Sequence, residues 1–384
     1  MKILKIIGII ILIITIIFVG LLIFIKMKTS NIEDKKDLTT SIDKLANNYV
    51  KKENAYALVV GVIKNGKALL NYYGTTERGK SILPDSLTTF ELASTSKLFT
   101  TSTLQILVDN NEMELNENIQ KILLPKVILP KIAENTTVQQ LATHLSGFPS
   151  LPESFMNKMT DETNPYKILK MQDMYDYLKT CDEKKKEGEF EYSNFGMGLL
   201  GHVLELKTGI KYEKLVREKL LNPIGMNNTF ITVDSINKLN IIQGYDPDGN
   251  KAPIWTDNVL TGAGSFLSNG SDMIKFLKAN LNPKTTIISK SLIKTQEYKL
   301  NGIKGLGWIQ PESAEKLIGL ENIVWHNGMA GGYSSFIAID KTNNFGVFVL
   351  SNKAIDPTKL GINLALSLKT QSWKNKKTCE QLFM

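Results

Sequence analysis

Phe90-Glu91-Leu92-Ala93-Ser94-Thr95-Ser96-Lys97 sets a serine and a lysine three residues apart at the head of an apolar run, Leu98, Leu104, Ile106, Leu107 and Val108. On a helix, residues at that spacing share a face, so the Ser94 hydroxyl and the Lys97 amine can meet. A desolvated lysine so placed can take the serine proton. The spacing alone is weak, because Ser-x-x-Lys also begins at Ser41, Ser235, Ser291 and Ser313. Ser94 differs in its surroundings. Phe90-Glu91-Leu92-Ala93 reads as a buried approach, and the helix that follows is apolar enough to lie inside the protein. The positive end of that helix's dipole falls beside the serine.

Two single-copy elements lie downstream. Tyr192-Ser193-Asn194 is the only Tyr-x-Asn and opens a predicted helix, Asn194 to Lys207, that Gly209 stops. His326-Asn327-Gly328 is the only His-x-Gly, on a predicted strand that leads into Met329-Ala330-Gly331-Gly332. Singly, Tyr192 reads as a buried phenol, Asn194 as a helix cap and His326 as a satisfied strand histidine. Together and in this order they read as one site. No G-x-S-x-G, H-E-x-x-H or complete phosphate loop competes with them. Gly61 to Lys67 comes nearest to a phosphate loop, but Ala68 follows and the segment spans a hairpin turn.

Ser94-x-x-Lys97, Tyr192-x-Asn194 and His326-x-Gly328 resemble the three motifs of the penicillin-recognising serine hydrolases, most nearly the class C β-lactamase-related branch. Leu141-Ala-Thr-His144-Leu-Ser-Gly147, Asn222-Pro-Ile-Gly-Met226 and Gly262-Ala-Gly-Ser-Phe-Leu-Ser268 before Asp272 agree with it, and the likeness spans roughly residues 40 to 370. The resemblance implies an α/β (α+β) fold: an antiparallel sheet flanked by terminal helices, with a helical insertion. It implies Ser94 as the nucleophile of an acyl-enzyme, with Lys97 and Tyr192 sharing general-base and general-acid work. Neighbouring cations are expected to favour the Tyr192 phenolate. Asn194 would hold Lys97 and the substrate amide, and the backbone N–H groups of Ser94 and Met329 would form the oxyanion hole. Gly328 would let the substrate backbone lie against the strand. His326 stands where typical β-lactamases and D,D-peptidases carry a lysine facing a substrate carboxylate, which brings the chain closer to branches described as esterases and D-aminopeptidases. The implied substrate is an amide or ester: a β-lactam, a D-amino-acid peptide or an ester. The rival reading is a non-hydrolytic penicillin-binding or sensing module with the same fold. Lys207-Thr208-Gly209 spells another common form of the third motif, but it ends the helix begun at Asn194, about 20 Å away along the axis. His144 and His202 read as structural.

Around these motifs, Asn65-Gly66 joins two β-rich runs, Ala57 to Lys64 and Lys67 to Tyr73, as a hairpin. A helix is expected from Ser41, as its cap, to Lys52. Strands follow at 323–326, 334–339 and 345–351, and a closing helix at 359–369. This divides the chain into 41–93 with 255–384 as the sheet part and 94–254 as the mainly helical part, the site lying at their junction.

Composition limits the alternatives. In 384 residues there are two cysteines, Cys181 and Cys379, and three histidines, too few for a disulfide framework or a Cys- or His-based metal site. Neither a metal nor another cofactor is expected. The net charge of +8 invites a nucleic-acid reading, but only Arg78 and Arg217 supply guanidinium forks, so no nucleic-acid partner is expected. Half of that excess lies on Lys2, Lys5, Lys26 and Lys28, which flank the uncharged stretch Ile6 to Ile25. Twenty such residues make about 30 Å of helix, one bilayer core. Residues 1–28 therefore read as a transmembrane anchor and 29–40 as a tether, with the catalytic part on the extracytoplasmic side. A cleaved signal peptide is the competing reading, although no A-x-A-like site follows.

Overall fold

The computed structural model describes residues 37–233, 240–256, 259–300, 303–310 and 319–371, so the expected anchor at Ile6 to Ile25 lies outside the described residues. Among those residues no helix is long and apolar enough to cross a membrane. The elements that build the site are, in chain order, helix α1 (Leu38–Lys52), strands β1 (Ala57–Lys64), β2 (Lys67–Gly74) and β3 (Thr89–Glu91), and helix α2 (Lys97–Asp109). Next come α3 (Val138–Ala142), α4 (Asn194–Thr208), α5 (Thr261–Gly264), β4 (Leu267–Asn269) and α6 (Gly270–Leu281). Strands β5 (Val324–Met329), β6 (Ser334–Asp340) and β7 (Phe345–Ser351) and helix α7 (Thr358–Thr370) complete them.

Five strands form one antiparallel sheet in the order β2-β1-β7-β6-β5. Side chains alternate between its faces. Leu58, Val60, Val62, Phe336, Ala338, Val347 and Val349 pack under α1 and α7, through Leu38, Ile42, Leu364 and Leu368. Val59, Ile63, Ile337, Ile339, Phe348 and Leu350 face α2 and α6, through Phe99, Met273, Phe276 and Leu277. The two covered faces explain why these strands read as continuous apolar runs. A separate core gathers α3 and α4 with Leu104 and Leu107 of α2.

Most expected elements form, and their edges are instructive. The hairpin turns at Asn65-Gly66, both residues having positive φ (52° and 79°). Helix α1 starts earlier than expected. Its cap is Asp37, whose carboxylate accepts from Thr39 N at 3.1 Å, while Ser41 is buried one turn inside. Residues 38–40 thus belong to the helix and not to a tether. Helix α4 ends on Gly209 at φ +68°, and Lys207 on its last turn pairs with Glu117, away from the site. One pairing has no clear sequence signal: β3 joins β4 and so fixes the approach to Ser94.

Candidate active site

Ser94 sits in a single 3₁₀ turn, Ala93–Ser96, that runs directly into α2. Ala93 takes φ +47°, a left-handed conformation that costs a non-glycine residue on the order of 1–3 kcal/mol. The surrounding bonds hold it there. Leu92 N donates to Phe266 O at 2.8 Å, and Leu92 O accepts from Thr95 N at 3.2 Å and Ser335 Oγ at 2.6 Å. Phe266 N in turn donates to Ser96 Oγ at 3.1 Å.

Lys97, the first residue of α2, is fully buried. Its Nζ lies 2.9 Å from Ser94 Oγ, 2.8 Å from Asn194 Oδ1 and 2.7 Å from the Ala263 carbonyl oxygen. Burial drives its pKa well below the ordinary lysine value of 10.5. Asn194 reaches it from the first position of α4, which Ser193 caps by accepting from Gly196 N at 2.7 Å. Ala263 reaches it because α5 rests directly on α4: a Cβ on Gly201 would stand 3.0 Å from the Gly262 Cα. Thr100, one turn after Lys97, donates to Gly262 O at 2.6 Å and pairs with the Tyr212 hydroxyl, which steadies the same segment.

Tyr192 lies with Lys97 Nζ 4.9 Å from its ring centroid. The expectation of a favoured phenolate fails. Burial raises the Tyr192 pKa above 10, outweighing the lowering influence of Ser94, and its neighbour Lys97 is itself driven toward the neutral amine.

His326 is buried against Tyr192, ring centroids 6.2 Å apart, and is not among the residues lining the cleft. Alternation along β5 puts it on the inner face with Val324 and Gly328, while Trp325 packs under α1 and α7. Its Nδ1 lies 2.6 Å from the Asn327 carbonyl. Burial first, and Lys97 second, push its pKa down to about 3, so it is neutral at physiological pH. A Cβ on Gly328 would meet Leu92 O at 2.4 Å, Ser335 Oγ at 2.7 Å and Ser94 N at 2.9 Å. The space left by its missing side chain is filled by the serine turn.

The cleft above Ser94 has about 70 Å³ of free volume; Glu91, Tyr166, Asn194, Trp255, Leu260 and Met329 are among the residues lining it. Among the described residues, Glu91 is the only acidic or basic side chain in that lining. Trp255 and Tyr166 meet edge to face at 5.2 Å, and Trp255 Nε1 donates to Thr163 O at 2.9 Å. Asn164 and Thr256 tie the same two loops together. Sequence reasoning missed these loops, which carry no repeat or motif. It also missed the Ala263 carbonyl, although Gly262-Ala-Gly264 had stood out as a signature. His202 sits apart, paired with the Tyr175 hydroxyl at 2.6 Å.

Comparison with known proteins places the chain by sequence and by fold. "Protein flp" of Staphylococcus aureus (strain N315) is 27% identical over 331 residues, covering 82% of this chain; the chain spans 63% of that relative's length. A "Beta-lactamase" of Pseudomonas fluorescens is 25% identical over 348 residues, 83% of this chain and 94% of its own. Among solved structures, a "Beta-Lactamase/D-Alanine Carboxypeptidase" from Pseudomonas syringae superposes with a TM-score of 0.73 at 21% identity, covering 86% of this chain and 98% of its own. A class C beta lactamase from Rhodobacter sphaeroides gives 0.71 at 21% identity, with the same coverage. The sequence profile described as Beta-lactamase matches residues 42–369, nearly all of the folded part, and the chain belongs to that family.

Proposed function

We propose that the chain is a serine hydrolase that works through an acyl-enzyme on an amide or ester whose leaving side carries no carboxylate. The observation that carries the catalytic part is the set of partners around Lys97 Nζ. A neutral amine offers two N–H donors and one lone pair. The Asn194 Oδ1 and Ala263 carbonyl oxygens only accept, so they take both donors, and the lone pair is left facing Ser94, the one partner that can donate. As Ser94 Oγ bonds to the substrate carbonyl carbon, its proton passes to Nζ and the carbonyl electrons move onto oxygen. The Ser94 and Met329 N–H groups are assigned to that oxyanion. The C–N or C–O bond then breaks, and the leaving group takes the proton back by way of the Tyr192 hydroxyl. Water later attacks the acyl-Ser94 ester along the same proton path in reverse. The substrate class is supported by the cleft lining, in which no lysine or arginine among the described residues stands ready for a carboxylate, and by the neutrality of His326.

The same proposal includes a membrane anchor at Ile6 to Ile25, with the catalytic part on the extracytoplasmic side. Its support is the length of the uncharged stretch and its lysine flanks. The names of the relatives make nitrocefin and D-Ala-D-Ala peptides the necessary comparators. The test is fluorophosphonate labelling with a panel of nitrocefin, D-Ala-D-Ala peptides, D-amino-acid amides and short-chain p-nitrophenyl esters, using Ser94→Ala as control. Wild type should label and the mutant should not, with esters or amides turned over faster than nitrocefin. Labelling of wild type alone, with no turnover of any substrate, would support the non-hydrolytic reading instead, and equal labelling of both proteins would overturn Ser94 as the nucleophile.

A further inference from the structure

We infer that His144, which lies outside all three motifs, is a positioning residue for Tyr192. The inference rests on the proton-transfer role proposed for Tyr192. His144 follows α3 in a left-handed conformation, φ +59°, and is 5% exposed. From there it grips four consecutive residues. Its carbonyl oxygen accepts from Glu191 N at 2.9 Å, and its Nδ1 accepts from Ser193 N at 3.1 Å. Between those two anchor points its ring lies against the Tyr192 ring, centroids 4.7 Å apart and planes 31° apart. Its other neighbour is Phe190, edge on at 5.9 Å. A backbone acceptor, a side-chain acceptor and a flat ring from one residue thus fix the chain on both sides of the phenol.

The hydrogen bond also sets the tautomer. Accepting from a backbone N–H leaves Nδ1 bare, so the proton of the neutral ring is on Nε2. That Nε2 is buried with no hydrogen-bond partner among the described residues. A buried polar atom left unpaired is unfavourable, and a residue chosen only to fill space would avoid it. Leucine or phenylalanine would fill the volume, but neither could accept from Ser193. Burial keeps the ring neutral and so keeps Nδ1 an acceptor.

His144→Phe keeps a ring and loses the acceptor. His144→Asn keeps an acceptor near the Nδ1 position and tolerates positive φ. With a p-nitrophenyl ester, the phenylalanine variant should lose 10- to 100-fold in kcat, with KM within about twofold of wild type, and asparagine should restore much of the loss. In a Tyr192→Phe background, His144→Phe should cost almost nothing further, because the residue it positions no longer carries the hydroxyl. Should the phenylalanine variant fail to fold, His144→Ala takes its place. Hydrogen exchange at the Ser193 amide reads the same clasp without substrate; it should quicken at least tenfold in the loss variant and stay slow in His144→Asn. Losses that multiply with Tyr192→Phe, unchanged kcat, or equal Ser193 exchange in both variants would overturn the inference. Slow Ser193 exchange in a wild type that hydrolyses nothing would count against the proposed function and leave the clasp standing.

Discussion

Gly328→Ala tests how tightly β5 and the serine turn hold one another. The new methyl would stand 2.4 Å from Leu92 O, and real contacts under 3.0 Å are essentially never found, so the two segments must separate by about 0.6 Å. Leu92 cannot rotate aside cheaply, since its N–H is bound to Phe266 and its carbonyl to Thr95 and Ser335. The movement therefore reaches Ser94 N, itself 2.9 Å from the added atom, and Met329, the next residue on the strand. Both groups assigned to the oxyanion are displaced together. Removing one such donor costs about 10²–10³ in kcat and a 1 Å misplacement about 10², so a loss of roughly 30- to 300-fold is expected. Overpacking should lower stability by about 1–3 kcal/mol. Steady-state ester hydrolysis beside a urea melt measures both. Gly346→Ala, on β7 away from the cleft, is the control. Its Cβ would meet Leu277 Cδ2 at 3.0 Å, the end of a side chain that can give way where a pinned carbonyl cannot, so kcat should stay within about threefold. A folded Gly328→Ala enzyme with near wild-type kcat, or a Gly346→Ala enzyme equally damaged, would refute the argument.

Lys97→Arg puts a permanent cation in place of the neutral amine and loses the lone pair, because guanidinium does not deprotonate in proteins. General-base catalysis contributes about 10²–10⁴, and acylation should fall by that much; a burst of wild-type amplitude and rate would rule out the neutral-amine reading. Stability should also fall with acid. His326 is neutral when folded down to about pH 3, whereas the unfolded ring gains a proton near 6.5. Its contribution is full above about pH 6.5 and is lost as pH drops toward 3, on the order of 4 kcal/mol at the acid end. Urea unfolding at pH 7 and pH 4 should show this loss, reduced in His326→Asn; the same loss in the variant would show that His326 is not its source.

The parts of the site legible in the sequence were those whose chemistry is local. Ser94 and Lys97 meet because a helix puts positions three apart on one face, and Asn194 reaches them from a helix start that Ser193 marks. What stayed hidden depends on approach between distant segments. Gly328 gave no sign of the serine turn packed behind it, since only the fold brings Leu92 up against it. Tyr192 looked like a phenolate, since sequence names its cationic neighbour but not the burial that discharges it. His144 sat in a recognised signature, yet nothing local says that Ser193 would donate to its ring. The Asp37 cap was missed for a simpler reason: Ser41 also fits the capping preference, and the packing of Leu38 decided between them.

The order of the sheet carries a consequence for biosynthesis. Strand β1 enters the sheet between β2 and β7, and its first residue, Ala57, donates from its N–H to Asn352 Oδ1 across 295 positions of sequence. As the chain emerges from the ribosome, β1 can form its hairpin with β2 early, but its other edge has no partner until β7 has been made. The whole helical part is synthesised in the interval and can collapse around α4 by itself. Ala57-Leu-Val-Val-Gly-Val-Ile63 must meanwhile keep an apolar, hydrogen-bond-hungry edge from pairing with another chain. Closure by β7 is a late, long-range step of the kind that slows folding, and the serine turn, which leans on β5 and β6, takes its final shape only after those strands have been made.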